Sequence, residues 1–178
     1  MITVLCDGTG HRIGELLKAA SKRRDVELDL ISLEDKHILP CTGCSSCGGA
    51  TYRQCVLKDE MQQIYPRLAR SGPQVIITPI TFGGYSSIAK TVQERFSPLG
   101  DPRYYIEGGE LVKGMGLSKG NYYVIGVKDG CTDREREVFL RFHSENLRIM
   151  NRKGAAWILD TESEDAALDQ ILEVICNG

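Results

Sequence analysis

The sequence predicts an α/β protein built as a doubly wound, five-stranded parallel sheet with helices on both faces. One observation carries that prediction. Short apolar runs alternate with amphipathic helical patterns from end to end, and that alternation implies right-handed crossovers between parallel strands. The chain has 178 residues, 42% of them apolar and 26% charged, so one ordinary core needs no disulfide staple. With no internal repeat, low-complexity tract or linker, residues 1–178 read as a single domain.

Ile2 to Cys6 opens the chain as a strand and is ended by the turn Asp7-Gly8-Thr9-Gly10. Residues 12–22 place Ile13, Leu16, Leu17 and Ala20 on one helical face. Val26, Leu28 and Leu30 alternate toward Ile31 and predict the second strand. After a cysteine-rich loop at 41–55, Met61, Ile64, Tyr65 and Leu68 recur at helical spacing over 58–70. Pro66 falls inside that pattern, where its missing N–H predicts a kink or a second start. Gln74 to Pro79 is a buried strand, and Ser86 caps a helix carrying Ile88, Val92 and Phe96. Residues 97–119 read as an irregular insertion, too long for an ordinary connection. Tyr122 to Val127 is the fourth strand, and Thr132 with Glu135 forms a capping box for a helix to about 151. Ala155 to Leu159 is the fifth strand, and Leu168, Ile171, Leu172 and Ile175 form the buried face of the last helix.

Charge excludes some functions. Lys plus Arg is 22 and Asp plus Glu is 24, a net charge of −2, so no nucleic-acid-binding surface is expected. No apolar run approaches the roughly 18–20 residues that cross a bilayer, and the opening residues have no basic segment ahead of an apolar one. A cytoplasmic protein with no membrane partner is expected.

In such a sheet, ligands bind at the carboxyl ends of the strands. The first of these turns, Gly8-Thr9-Gly10-His11-Arg12, lets the backbone approach a phosphate ahead of a helix N-terminus, with a hydroxyl from Thr9 and a charge from Arg12. It fits neither Gly-x-Gly-x-x-Gly nor a P-loop, so one compact phosphate suits it better than a triphosphate. A plain strand-to-helix turn would use the same glycines, and Asp7 would repel a phosphate unless it turns away.

Seven cysteines are many for this length, and four of them form a C-x2-C-x2-C-x7-C array: Cys41, Cys44, Cys47 and Cys55. Three thiolates at two-residue gaps can wrap one face of a cuboidal iron–sulfur cluster while a fourth closes it. Zinc is the competing metal, though its four-cysteine sites usually pair two separate C-x2-C units. The remaining alternative is thiols without a metal. Cys6 and Cys176 read as core or surface thiols. His37 and His143 read as surface or helix-face residues, and Tyr122 and Tyr123 as packing.

Pro40-Cys41-Thr42-Gly43-Cys44-Ser45-Ser46-Cys47, Cys55 and the run Asp59 to Pro66 resemble the iron–sulfur flavoproteins. These belong to the flavodoxin-like NAD(P)H-dependent FMN reductases, also called multimeric flavodoxins. The resemblance continues through Thr78 to Ser87 and Lys90 to Glu94-Arg95-Phe96. It implies the flavodoxin-like sheet order 2-1-3-4-5 with FMN at the carboxyl edge. Gly8, Thr9, Gly10, His11 and Arg12 would hold its phosphate, with His11 and Arg12 in place of the usual Asn and Thr. Pro79, Ile80, Thr81, Phe82, Gly83 and Gly84 would border the isoalloxazine ring, with Thr81 where many relatives have Tyr. Lys128, Asp129 and Gly130 would approach its pyrimidine side. Cys41, Cys44, Cys47 and Cys55 would carry a [4Fe–4S] cluster.

The expected function is an oxidoreductase or electron-transfer flavoprotein. FMN would take a hydride from NAD(P)H, or electrons from a carrier, and pass them on through the cluster. A small molecule or a protein is the expected redox partner. No side chain is assigned acid–base catalysis. Two alternatives stand beside this reading. One is a cluster-free NAD(P)H-dependent reductase of FMN, quinones or similar acceptors. The other is a flavodoxin-like module that has lost FMN and binds metal or a partner. The 97–119 insertion, with Tyr104 and Tyr105, suggests a subunit contact in a homodimer or homotetramer.

Overall fold

A computed structural model describes residues 1–114, 120–163 and 165–178, with the backbone alone at Thr9. Five parallel strands form the main sheet: β1 (Ile2–Cys6), β2 (Leu28–Ser32), β3 (Gln74–Pro79), β6 (Tyr122–Val127) and β7 (Ala156–Leu159), ordered β2-β1-β3-β6-β7. Counted within that sheet, the order is 2-1-3-4-5, as the resemblance implied. The helices are α1 (His11–Arg23), α2 (Met61–Arg70), α3 (Ser87–Glu94), α4 (Asp133–Ile149) and α5 (Asp165–Asn177). An antiparallel hairpin, β4 (Tyr104–Glu107) with β5 (Glu110–Lys113), stands apart from the sheet.

Alternation along each strand divides the core between two layers. Val4, Val75, Ile77, Tyr123 and Ile125 point to one face, where Ile13 and Leu17 of α1 meet Leu168 and Leu172 of α5. Leu5, Ile76, Tyr122 and Val124 point to the other and pack Met61, Ile64 and Leu68 of α2, Val92 of α3 and Phe139 of α4. Burying such an aliphatic side chain is worth about 1.5–3 kcal/mol. The helices therefore cover both faces and leave the strand ends open.

Three element boundaries differ from the periodicity, each for a local reason. Val26 was expected in β2, but its N–H donates to the Ser21 carbonyl after Asp25 turns at φ 55°, so it closes α1 and the strand starts at Leu28. α2 begins at Met61 rather than at 58, because the Asp59 carboxylate accepts the Met61 N–H and precedes the helix. It then runs unbroken past Pro66 to Arg70. The region expected to be irregular holds a 3-10 turn at Ser97–Leu99 and the β4–β5 hairpin, whose Gly108 and Gly109 have φ of 59° and 84°. Two positive-φ residues are what a tight two-residue hairpin turn requires. Residues 115–119 of the insertion lie outside the described residues. The Thr132–Glu135 capping box forms as predicted.

His143 sits on the buried face of α4, only 1% exposed, rather than at the surface. Its Nδ1 is 2.8 Å from the Tyr85 hydroxyl, and Tyr85 packs edge-on against Phe139 and Phe142. Burial pushes the imidazole pKa down to about 4, against an ordinary value of 6.5. The folded chain thus holds this ring neutral while the unfolded chain takes up a proton as the pH falls. His143 therefore contributes stability fully above about pH 6.5 and loses it on the way down to about pH 4, up to about 3 kcal/mol in all. We expect urea midpoints to fall over that window, with a shallower fall in His143→Gln. Equal slopes in the two proteins would show that another group titrates instead.

Candidate functional site

The loops after β1, β3, β6 and β7 meet at the carboxyl edge of the sheet, because all four strands run parallel. The first loop carries Gly8 at φ 46°, with nothing within 4 Å of where a Cβ would stand. Gly10, by contrast, is locked in place, since a Cβ there would come 2.7 Å from Ile77 Cγ2. α1 then starts with no side-chain cap and no acidic residue in its first turn. His11 N–H donates to the Gly8 carbonyl and Gly14 N–H to the Cys6 thiol, so the Arg12 and Ile13 N–H groups and the positive end of the dipole face any anion bound there. His11 and Arg12 are exposed, and the Thr9 side chain lies outside the described residues.

Asp7 does turn away. Its carboxylate accepts a hydrogen bond from Ser86 Oγ, which in turn accepts the Ala89 N–H and caps α3. Ser86 N–H donates to Thr78 Oγ1 at 3.0 Å. The chain of bonds ties the first loop to the third strand's loop, so the one acidic group beside the glycines is spent within the protein.

After β3, the Thr81 and Gly84 backbones exchange two hydrogen bonds around a two-residue turn. Phe82 and Gly83 make that turn at φ 50° and 75°. Positive φ is unusual for an aromatic residue, and here it holds the Phe82 ring 98% exposed. Pro79 is half-buried and Ile80 buried beneath the turn, while Gly83 lies against Val138 of α4, 2.8 Å from a would-be Cβ. The turn thus presents an aromatic ring and backbone groups at the sheet edge from a fixed base.

The two cations expected here have protein partners. Lys128 Nζ pairs with Glu135 of the capping box. Arg12 donates to the Thr161 carbonyl at 2.5 Å and faces Glu162 at 3.7 Å. Asp129 accepts the Thr161 N–H and hydroxyl at 2.7 and 2.6 Å, which holds its carboxyl below the ordinary range, and Gly130 turns at φ 60°. A cavity of about 240 Å³ lies elsewhere, between α3, α4 and the hairpin, with Phe96, Leu99 and Tyr104 in its walls.

The cysteine loop makes a second site. Cys41, Cys44, Cys47 and Cys55 line one small cavity of about 30 Å³, closed by Val56, Leu57, Tyr65, Arg95 and Pro98. Gly43 at φ 66° and Ser45 at φ 57° supply the sharp turns between the first three thiols. Ser46 hydrogen bonds lower the Cys44 pKa, whereas burial raises that of Cys47. Among the described residues, no three His, Cys, Asp or Glu side chains are grouped to hold one metal ion. A zinc ion would need all of its sulfurs about 2.3 Å from it. Four thiols with no carboxylate among them, in a largely apolar wall, is the donor chemistry an iron–sulfur cluster takes.

Burial pushes Cys6 up to about 12, consistent with its reading as a core thiol packed against Gly10 and Gly14. The residues that sequence reasoning missed are those that hold the cysteine loop. Arg95, 1% exposed, makes a two-pronged ion pair with Asp59 at 2.7 and 3.1 Å and donates to the Leu39 carbonyl at 2.6 Å. Asp59 also accepts the Leu39 N–H at 2.9 Å. Burial alone would raise its pKa, but Arg95 and these N–H groups hold it below the ordinary range. Both ends of the loop are thereby pinned to α3.

Residues 6–111 match the profile of the NADPH-dependent FMN reductase family. The chain is 31% identical over 108 residues to an iron–sulfur flavoprotein of Archaeoglobus fulgidus, covering 61% of this chain and 53% of that one. It is 30% identical over 87 residues to an iron–sulfur flavoprotein of Methanocaldococcus jannaschii, covering 49% and 44% respectively. The chain thus spans about half the length of these curated relatives. In fold it is similar to an FMN-dependent NADH-azoreductase of Bacillus anthracis solved with FMN, with a TM-score of 0.57 at 12% identity, over 99% of this chain and 98% of that one.

Proposed function

The chain belongs to the NADPH-dependent FMN reductase family, and from that premise we propose that it is an NAD(P)H-dependent flavin oxidoreductase that exchanges electrons between FMN and a [4Fe–4S] cluster. The observation that carries the two-centre reading is the convergence of Cys41, Cys44, Cys47 and Cys55 on one cavity. It is supported by relatives that are themselves iron–sulfur flavoproteins.

In this reading the glycine turn and the free N-terminus of α1 bind the FMN phosphate, and the Phe82 turn borders the ring. Bound FMN supplies hydride acceptance from NAD(P)H and one-electron release. The protein's part is to orient the ring on fixed loops. The two sites lie at opposite ends of α3: Ser86, its cap, belongs to the flavin loop, and Glu94 and Arg95 belong to the cysteine cavity. α3 has 8 residues, a length of about 12 Å. We include in the proposal a cytoplasmic setting, a small-molecule or protein redox partner, and a homo-oligomer joined through the hairpin, where Ile106 is 79% and Leu111 61% exposed.

A second reading is a cluster-free NAD(P)H-dependent reductase of quinones or similar acceptors. It is favoured by the absence, among the described residues, of a tight metal-ligand group. Anaerobic reconstitution with iron, sulfide and FMN, followed by flavin, iron and zinc analysis of one sample, separates the two. We expect one flavin and about four irons per chain, with iron lost and flavin kept when the four cysteines are changed to serine. Flavin without iron in the unaltered chain would establish the second reading. Neither flavin nor iron would sink both and leave a binding module.

A further inference from the structure

Two hydrogen-bond donors in the wall of the cysteine cavity make no well-formed hydrogen bond within the protein. Tyr65 Oη and Arg95 Nε are both buried and neither makes a hydrogen bond of regular geometry, although the two side chains interact with each other and Tyr65 with Cys55. Both residues are walls of the cavity that the four cysteines line. The rest of the Arg95 guanidinium is accounted for, with Nη1 on Leu39 and Asp59 and Nη2 on Asp59. Nε is the one guanidinium nitrogen left without a well-formed hydrogen bond, on the fork edge that those bonds hold still. Tyr65 is fixed as firmly, on α2 between the core residues Ile64 and Leu68. Cys55 is the thiol whose field reaches both groups.

Native proteins seldom leave buried donors unpaired without a reason. Two such donors on one small cavity, beside four thiols and a wall carboxylate, Glu94, that faces Lys90 at 3.9 Å and bonds neither of them, point to an occupant whose surface is made of acceptor sulfur. We propose that Tyr65 Oη and Arg95 Nε donate hydrogen bonds to the sulfurs of the group held by Cys41, Cys44, Cys47 and Cys55, with Cys55 Sγ the nearest of them. This inference rests on the cluster reading above. Donation to sulfur stabilises the form carrying more negative charge, so both residues raise the reduction potential of that group. They are positioning residues, since they act through the ligating sulfurs.

The test is Tyr65→Phe, which removes one donor and keeps the ring that packs α2. In the apoprotein the hydroxyl makes no well-formed hydrogen bond, so the urea midpoint stays level or rises. In the anaerobically reconstituted chain, a redox titration followed by electron paramagnetic resonance should show a more negative midpoint potential at undiminished iron content. Arg95→Lys keeps a cation facing Asp59, removes Nε, and should move the potential in the same direction. An unchanged potential in Tyr65→Phe at full iron overturns the inference and leaves the cluster reading standing. A drop in the apoprotein's urea midpoint also overturns it, because the hydroxyl would then have a partner within the protein. Failure of the unaltered chain to take up iron overturns both.

Discussion

Replacing Asp59 with alanine is expected to lower the unfolding free energy by about 3–5 kcal/mol, the usual cost of breaking one side of a buried ion pair. Arg95 would keep its charge in a site where its side chain and that of Asp59 are each 1% exposed. The Leu39 and Met61 N–H groups would lose their acceptor as well. The damage follows from the uncompensated guanidinium more than from the lost attraction, so removing the charge should undo much of it. Asp59→Ala combined with Arg95→Met is therefore expected to be more stable than Asp59→Ala alone, a coupling that a double-mutant cycle in urea measures directly. The cysteine loop supplies a second readout. With residue 39 and residue 59 released from α3, its four thiols should react faster with a thiol reagent in Asp59→Ala than in the unaltered chain. A single-mutant loss below about 1 kcal/mol would mean that the pair is solvated in practice and anchors nothing.

That pair also marks the boundary of what the sequence discloses. The five sheet strands were legible because each is a short apolar run between turn residues, and the Thr132–Glu135 box because its partners are three residues apart. The bunched cysteines could be read for the same reason: their chemistry is local. The loop anchors could not. Asp59 and Arg95 are 36 residues apart, Asp7 and Ser86 are 79, and Tyr85 and His143 are 58. Nothing in their spacing brings them together, since only the assembled sheet and its helices do. The hairpin is a different kind of miss. Gly108-Gly109 between Tyr104-Tyr105-Ile106 and Leu111-Val112 carries the turn chemistry of a two-residue loop, but the length of the segment drew it toward an irregular reading. At the carboxyl edge of the sheet the glycines were legible, whereas the partners of Arg12 and Lys128 depended on loops from β7 and the start of α4.

His11→Glu is expected to change flavin affinity and stability in opposite directions, which makes it a sharp test of the glycine turn as a phosphate site. A carboxylate in the first turn of α1 meets a helix end with no acidic residue and no side-chain cap. It should stabilise the fold by about 0.3–1 kcal/mol through the dipole. The same charge would oppose a dianionic phosphate on those N–H groups. With an effective dielectric of about 40 and a separation of about 8 Å, the repulsion is about 2 kcal/mol, or roughly 30-fold in Kd. Riboflavin, which lacks the phosphate, should bind the variant and the unaltered chain alike, and His11→Gln should retain nearly normal FMN affinity. Fluorescence titration of each apoprotein with each flavin reads all of these affinities. If FMN affinity in His11→Glu stays within about threefold while the protein remains folded, the phosphate does not sit at this helix end, and the glycines are there to let α1 pack on the sheet. If FMN and riboflavin both weaken, the substitution has disturbed the ring-binding edge instead. Only a loss confined to the phosphorylated flavin, in a protein at least as stable as before, places the phosphate on the turn at Gly8–Gly10.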